Sequence, residues 1–358
     1  MTVTTDFCGG NAKILSADES AGLVLFEQEL RDTAENWFYW AFCVRGAQGR
    51  TLTFRMKDRF IGPFGAAVSG DLLHWTWSDS ASEDCTGFSY TFGEDEECVY
   101  FAHDMLYHPA QFYLFAERHG LRPEILTTDR GGTPIPYVTV GEGEDILLLT
   151  ARHHACEATG NYMMEGVIDA YLASPIENMK IIAVPFADAD GVVRGDQGNS
   201  RAPHDHNRDY TEGIYPGVRA VRGILGQGHV KNVFDLHSPW HAGGENDRVF
   251  LVRKFPEYEE KYVRLGTCFE AETAKDPDAM RYRTENDIHP GERWNALPHV
   301  HNQCSTYAAD FPGVDLSLSV ETAYFGEEDN RVSQERLVET GRCLYRAYKN
   351  YRRNGDGK

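Results

Sequence analysis

The sequence is poor in positive charge and lacks several common signatures. Lys and Arg number 35 against 55 Asp and Glu, a formal charge of −20. That excess repels phosphate and argues against a nucleic-acid partner. No uninterrupted apolar run approaches the roughly 20 residues of a membrane helix. The opening MTVTTDFCGGNAK has no basic segment followed by an apolar one, so no secretory leader is expected. The 8 cysteines form no CxxC pair, which excludes a four-thiolate zinc site and a thioredoxin motif. Reduced, mostly buried thiols are expected. Internal repeats and low-complexity segments are missing too. These absences point to a soluble, cytoplasmic protein.

What is present is apolar and aromatic material: 41% hydrophobic residues, with 18 Tyr, 19 Phe and 6 Trp in 358 positions. This is ample for packed cores and excludes disorder. At about 150 residues per domain the length suggests two.

Up to about residue 105 the pattern is that of β-structure. Trp37–Gly46 is a long apolar strand with aromatics on both faces, as expected between packed layers. Leu52, Phe54 and Met56 alternate with polar residues in the period of a half-buried strand, and shorter strands are expected at His74–Ser78, Phe88–Phe92 and Cys98–Ala102. Short strands separated by turn residues predict a sandwich. From Pro109 the pattern changes. A helix at Ala110–Arg118 and a Gly/Pro/Thr-rich linker at Thr127–Pro136 precede strands alternating with amphipathic helices. Strands are expected at Ile146–Leu149, Ile181–Val184, Val233–Leu236 and Leu316–Val320. Helices are expected at Asn161–Ala173, Pro216–Leu225, Glu257–Thr273 and Val332–Tyr351. Such alternation predicts an α/β sheet with helices on its faces.

In α/β folds ligands gather beyond the carboxyl ends of the strands. Three of these ends carry suggestive residues: His154 and Glu157 in HxxE spacing, His237 in Asp-Leu-His-Ser, and Glu321 in SLSVETAYF. Two histidines and a carboxylate form a catalytic zinc set, because three protein ligands leave a fourth position for water. HxxE alone recurs on many helices by chance, and His153 beside His154 leaves open which ring binds. The segment Asp188–Tyr210 adds Arg194, Arg201 and the pair Asn207-Arg208, and a guanidinium can grip a carboxylate through two parallel hydrogen bonds.

In this order the residues resemble the zinc metallocarboxypeptidases typified by pancreatic carboxypeptidase: HxxE, an Asn-Arg pair, a His at a strand end, then a Glu. The similarity is strongest to the cytosolic carboxypeptidase branch, whose members place a β-sandwich before the catalytic domain. WFYW at Trp37–Trp40, YFAHDMLYHP at Tyr100–Pro109, GNSR at Gly198–Arg201 and DHNR at Asp205–Arg208 resemble that branch. The resemblance implies an N-terminal antiparallel β-sandwich (1–107) and a carboxypeptidase-like domain (108–358) with a mixed twisted sheet and helices on both faces. It implies one zinc ion held by His154, Glu157 and His237. Asn207 and Arg208 would hold the substrate's terminal carboxylate, Arg201 would stabilise the oxyanion, and Glu321 would be the general base. The expected substrate is the C-terminus of a peptide or protein.

Three departures stand beside this. No equivalent of the family's mobile tyrosine is evident among His299, His301 and Tyr307. His237 is followed by SPWHAGG, with His241 unassigned, and His204, His206 and His241 are expected to be rim or loop histidines rather than metal ligands. Asp276–Leu297 reads as a surface loop over the cleft, or a lid. Arg281, Arg283 and Arg293 are candidate sources of a basic side-chain pocket, whereas Asp310 would favour a basic side chain. The alternatives are a zinc amidohydrolase or deacylase of a small carboxylated amide, and a catalytically idle zinc-binding scaffold.

Overall fold

The computed structural model describes residues 1–35, 37–57, 61–239, 246–296 and 301–355. The first nine strands are β1 (Thr2–Thr4), β2 (Lys13–Asp18), β3 (Leu23–Glu27), β4 (Ala41–Arg45), β5 (Thr51–Met56), β6 (Ala67–Ser69), β7 (Thr76–Trp77), β8 (Gly87–Thr91) and β9 (Cys98–Ala102). They form a five-stranded sheet, β1-β4-β9-β6-β7, and a four-stranded sheet, β2-β3-β5-β8. Phe26, Trp40, Phe42, Phe54, Phe88 and Phe101 fill the core that these strands enclose. All pairings are antiparallel except β3 with β5, which run parallel. The strand expected from Trp37 begins only at Ala41; Trp37–Trp40 is an irregular entry segment.

The second half comprises α1 (Pro109–Arg118), β10 (Glu124–Thr128), β11 (Pro134–Val140), β12 (Asp145–Ala151), α2 (Thr159–Ala173), β13 (Met179–Val184), α3 (Ala189–Arg194), α4 (Pro216–Leu225), β14 (Val230–His237), β15 (Phe250–Val252), α5 (Glu259–Lys275), α6 (Cys304–Ala308), β16 (Leu316–Glu321), β17 (Gly326–Glu327), β18 (Asn330–Arg331) and α7 (Gln334–Gly355). Seven of these strands form a mixed sheet in the order β10-β11-β13-β12-β14-β16-β15. Its centre, β13-β12-β14-β16, is parallel, and β11 and β15 join antiparallel. The central strands are buried along their length, Leu147, Leu149, Val233, Leu236, Leu318 and Val320 each at 0% exposure, which is why they read as apolar runs rather than alternating ones.

Two expectations need correction. Thr127–Pro136 is not a linker but most of the β10–β11 hairpin, closed by Asp129 N–H to Thr133 O at 2.8 Å. Pro134 and Pro136 precede the point where β11 begins pairing with β13 at Val138, so their missing N–H groups cost that ladder nothing. The segment after Asp276 is packed against β15 rather than loose over the surface. Tyr282 and Ile288 bridge to Val249 and Val252, and the Tyr282 ring stacks on Phe269 at 4.4 Å. Leu297 lies outside the described residues.

The helices α2 and α7 cross closely because each offers a glycine at the crossing. A Cβ on Gly166 would run into the carbonyl oxygen of Val338, and one on Gly341 into that of Met163. No described helix is long and apolar enough to cross a membrane.

Candidate active site

The sheet brings three strand ends together. Ala151 at the end of β12 is in register with Leu236 of β14, and His237 of β14 with Glu321 of β16. Beyond β12 the chain turns sharply through Arg152, whose φ of 60° costs an L-residue about 1–2 kcal/mol. The Arg152 guanidinium fixes that turn. It donates to Tyr107 O at 2.7 Å and through Nε to Ala155 O at 2.8 Å, setting the path that leads to His154 and Glu157.

Nδ1 of His154 lies 2.7 Å from Oε1 of Glu157, and Nδ1 of His237 lies 2.7 Å from its Oε2. All three residues are buried, and their facing atoms lie within 4.8 Å of one another. Burial alone would raise the Glu157 carboxyl, but the two imidazoles beside it hold it down at about 2. Burial opposes charge on His154, yet Glu157 and Asp205 outweigh it and raise this imidazole to about 9. Asp235 and Glu157 likewise raise His237 against its burial. The outer nitrogens are also met by carboxylates: His237 Nε2 is 2.8 Å from Asp235 Oδ2, and His154 Nε2 is 3.4 Å from Asp205 Oδ1. Two imidazole nitrogens and one carboxylate converging, with carboxylates behind both rings, fit a zinc ion and its usual outer support.

Glu321 is 6% exposed and lines the same cleft, and its Oε2 has no hydrogen-bond partner among the described residues. Burial raises its carboxyl to about 7, with His237 opposing and Glu157 reinforcing the shift. Asn207 and Arg208 enter on a single 3₁₀ turn, His206–Arg208. Asn207 accepts from the Cys304 N–H at 3.0 Å, and its Nδ2 lies 3.2 Å from His237 Nε2. The half-buried Arg208 donates to the Asn207 carbonyl oxygen at 3.2 Å and lines the cleft.

Arg201 is a correction. It does not line the cleft. Its guanidinium lies 2.8 Å from Asp188 and 2.9 Å from Asp32, with Asp196 at 3.8 Å. Held by carboxylates from two distant parts of the chain, it braces the Gly198–Arg201 loop. Asp129, Asp188 and His206 also converge, but Arg201 already meets the charge of Asp188 there. His206 is buried, stacked on Tyr215 with ring centroids 3.8 Å apart. His204 pairs with Asp209 at 2.8 Å.

The cleft holds a cation that the sequence pattern did not single out. Lys254, just past β15, is 6% exposed and donates to Gln303 Oε1. Burial and the neighbouring Arg208 lower its ammonium to about 8, while Glu321 and Asp235 pull the other way. Trp37 from the entry segment and Trp294 from the packed insertion are further walls of the same cleft, about 320 Å³ in volume. The other candidate basic residues are not among those lining the cleft, although Arg293 bonds to Asn246, which is. Arg281 pairs with Asp329 at 3.3 Å, Arg283 with Glu285 at 3.1 Å, and Arg293 donates to Asn246. Asp310 pairs with His301 at 2.7 Å, both half exposed, and neither lines the cleft. Tyr307 packs beside Tyr210 and is likewise not part of the wall. His241 and His299 lie outside the described residues.

Solved structures share this architecture over nearly its whole length. A metallo-carboxypeptidase of Burkholderia cenocepacia superposes with a TM-score of 0.78, covering 99% of both chains at 18% identity. The fold is that of a metallo-carboxypeptidase. A metallo-carboxypeptidase of Pseudomonas aeruginosa, solved in complex with (2-guanidinoethylmercapto)succinic acid, also has a TM-score of 0.78, over 98% of this chain and 100% of that one, at 18% identity.

Among curated sequences, an uncharacterized protein of Zymomonas mobilis is 24% identical over 324 residues, 83% of each chain. Cytosolic carboxypeptidase 1 of Xenopus laevis is 22% identical over 204 residues, 46% of this chain but only 16% of that protein. The sandwich-plus-catalytic-sheet metallo-carboxypeptidase fold and the similarity to cytosolic carboxypeptidases agree with the resemblance read from the motifs. No family model matches the chain.

Proposed function

We propose that the protein is a zinc-dependent carboxypeptidase that removes an acidic residue from the C-terminus of peptides or protein tails. The observation that carries this reading is the pair of cations, Arg208 and Lys254, lining one cleft with the His154–Glu157–His237 set and Glu321. A peptide ending in glutamate or aspartate presents two carboxylates, one from the main chain and one from the side chain. Two cations in one cleft can meet those two charges.

A zinc ion held by His154, Glu157 and His237 would polarise a peptide carbonyl and bring the pKa of a water to about 7. The chain's own groups do the rest. Arg208, seconded by Asn207, holds the terminal carboxylate and sets the position of the scissile bond. Lys254 meets the side-chain carboxylate. Glu321, with one oxygen unengaged, removes the proton of the attacking water and passes it to the departing amine. Trp37 and Trp294 give the cleft apolar walls beside these charges. Arg201 has no part in the chemistry.

The carboxylated small amide remains the second reading, because a dicarboxylic acyl-amino acid would meet the same two cations. Chain length separates the two. Hydrolysis is measured on a free-acid Glu-ended decapeptide, on the same peptide amidated at its C-terminus, and on N-acetylglutamate. Cleavage of the free acid alone supports the carboxypeptidase. Cleavage of N-acetylglutamate alone overturns it in favour of the deacylase.

A further inference from the structure

His153 and His154 are neighbours in the chain but serve different partners. His154 turns to Glu157, whereas His153 turns beneath the metal set to Asp235. Asp235 is fully buried between two imidazoles. Its Oδ2 lies 2.8 Å from Nε2 of His237, and its Oδ1 lies 2.9 Å from Nδ1 of His153. Thr150 donates to the same Oδ1 at 2.8 Å, and Nε2 of His153 is 2.7 Å from the Tyr210 hydroxyl.

The proton placement in this chain follows from donor and acceptor counting. An ionised carboxylate only accepts, so a ring nitrogen this close to Asp235 carries an N–H; that of His237 hydrogen-bonds to it, whereas the His153 Nδ1 contact at 2.9 Å is close but off the hydrogen-bond line. With a metal bound, His237 would keep its proton on Nε2 and turn an unprotonated Nδ1 toward Glu157 and His154, as a metal ligand requires. His153 carries its proton on Nδ1, so its Nε2 accepts and Tyr210 donates. The Asn207 amide nitrogen, 3.2 Å from the same Nε2 of His237, is a neighbour that this placement gives no acceptor there.

We infer that His153 is a positioning residue for the metal set: by holding one oxygen of Asp235 it keeps the other on Nε2 of His237, and so aims Nδ1 of His237 at the ion. This rests on the zinc reading above. Without His153, Oδ1 of Asp235 keeps only the Thr150 hydroxyl. A buried carboxylate that has lost a close polar neighbour on one side is less constrained, and the orientation of His237 goes with it.

The test is zinc affinity of the metal-free protein, measured by competition with a chromophoric chelator, for the wild type, His153→Asn, His153→Gln and His153→Ala. The Asn amide can occupy the place of Nδ1 and donate to Asp235. The Gln amide reaches instead toward Tyr210. The expected result is a zinc Kd raised roughly 10–100-fold in the Gln and Ala variants, with Asn within about threefold of the wild type. Simple space filling would not favour Asn over the larger Gln. Equal affinities for Asn and Gln, or all three within about twofold of the wild type, would overturn the inference. Thermal melts of the metal-free proteins establish that each variant is folded, and the Asn–Gln comparison stands even if the Ala variant does not fold. A wild type that takes up no zinc would overturn the metal reading itself, a result distinct from any ranking among the variants.

Discussion

Glu321 stands directly opposite His237 in the parallel β14–β16 ladder, so a candidate base and a candidate metal ligand are fixed to each other by backbone hydrogen bonds. Their separation is thus a property of the sheet, whose central strands are largely buried, and not of a mobile loop. The other two members of the metal set hang on the turn after β12, which the Arg152 guanidinium holds.

Removal of a ligand separates the metal set from a fortuitous cluster. His154→Ala should abolish stoichiometric zinc, measured by elemental analysis, and should erase the gain in melting temperature that zinc gives the wild type, since binding to the folded state alone is stabilising. A variant that still binds one zinc with unchanged affinity would contradict the assignment.

The pH dependence of zinc uptake follows from the raised imidazoles. In the metal-free protein His154 is held up to about 9 by Glu157 and Asp205 against its burial, and His237 is raised as well. Below those values both rings are protonated, and zinc must displace the protons. Apparent affinity should therefore rise with pH through the neutral range until about 9, with protons released on binding. Isothermal titration in buffers of different ionisation enthalpy counts them. Affinity independent of pH between 6 and 8 would contradict the charge state of the set.

Lys254→Met removes the buried cation while keeping the volume. The rate constant kcat/KM on Glu-ended peptides should fall by about 30-fold or more, corresponding to loss of a charged contact of at least about 2 kcal/mol. The rate on Leu-ended peptides should fall little or rise. Equal losses on both would assign Lys254 to the fold or to Glu321 and not to the substrate side chain.

Arg201→Ala leaves Asp188, which is 1% exposed, without its cation. The expected outcome is a stability loss of about 3–5 kcal/mol in urea unfolding, because an unpaired buried charge remains. Under conditions where the variant is folded, kcat should stay within a few fold of the wild type. A loss of several orders of magnitude in kcat with unchanged stability would restore Arg201 to the chemistry.

Much of the architecture was legible in the sequence because the central strands are buried on both faces and so appear as short apolar runs. The residues that close each run then fall at strand ends. This is how His154, Glu157, His237 and Glu321 could be grouped before any coordinates. The segment Thr127–Pro136 misled because its Gly residues sit in a hairpin turn and its Pro residues on the part of β11 that pairs with β10 but not yet with β13. Arg201 misled for another reason. One of its partners, Asp32, lies 169 residues away, and no local pattern announces a tertiary ion pair. Lys254 left no signal either. It follows a three-residue edge strand whose place over the cleft depends on antiparallel pairing with β16. Asp235 and Asp205 were within reach, since each lies close to a candidate site residue in Asp-Leu-His and Asp-His-Asn-Arg, and carboxylates behind histidine ligands are the rule.

The most direct test of the central claim is mass spectrometry of a mixed pool of free-acid peptides incubated with zinc-loaded protein, beside Glu321→Gln with its zinc content checked. The account predicts C-terminal shortening of Glu- and Asp-ended peptides by the wild type, and at least about a 100-fold slower reaction by the variant, as expected for loss of a general base. No shortening of any peptide by zinc-loaded wild type, or equal shortening by the Glu321→Gln protein, would contradict it.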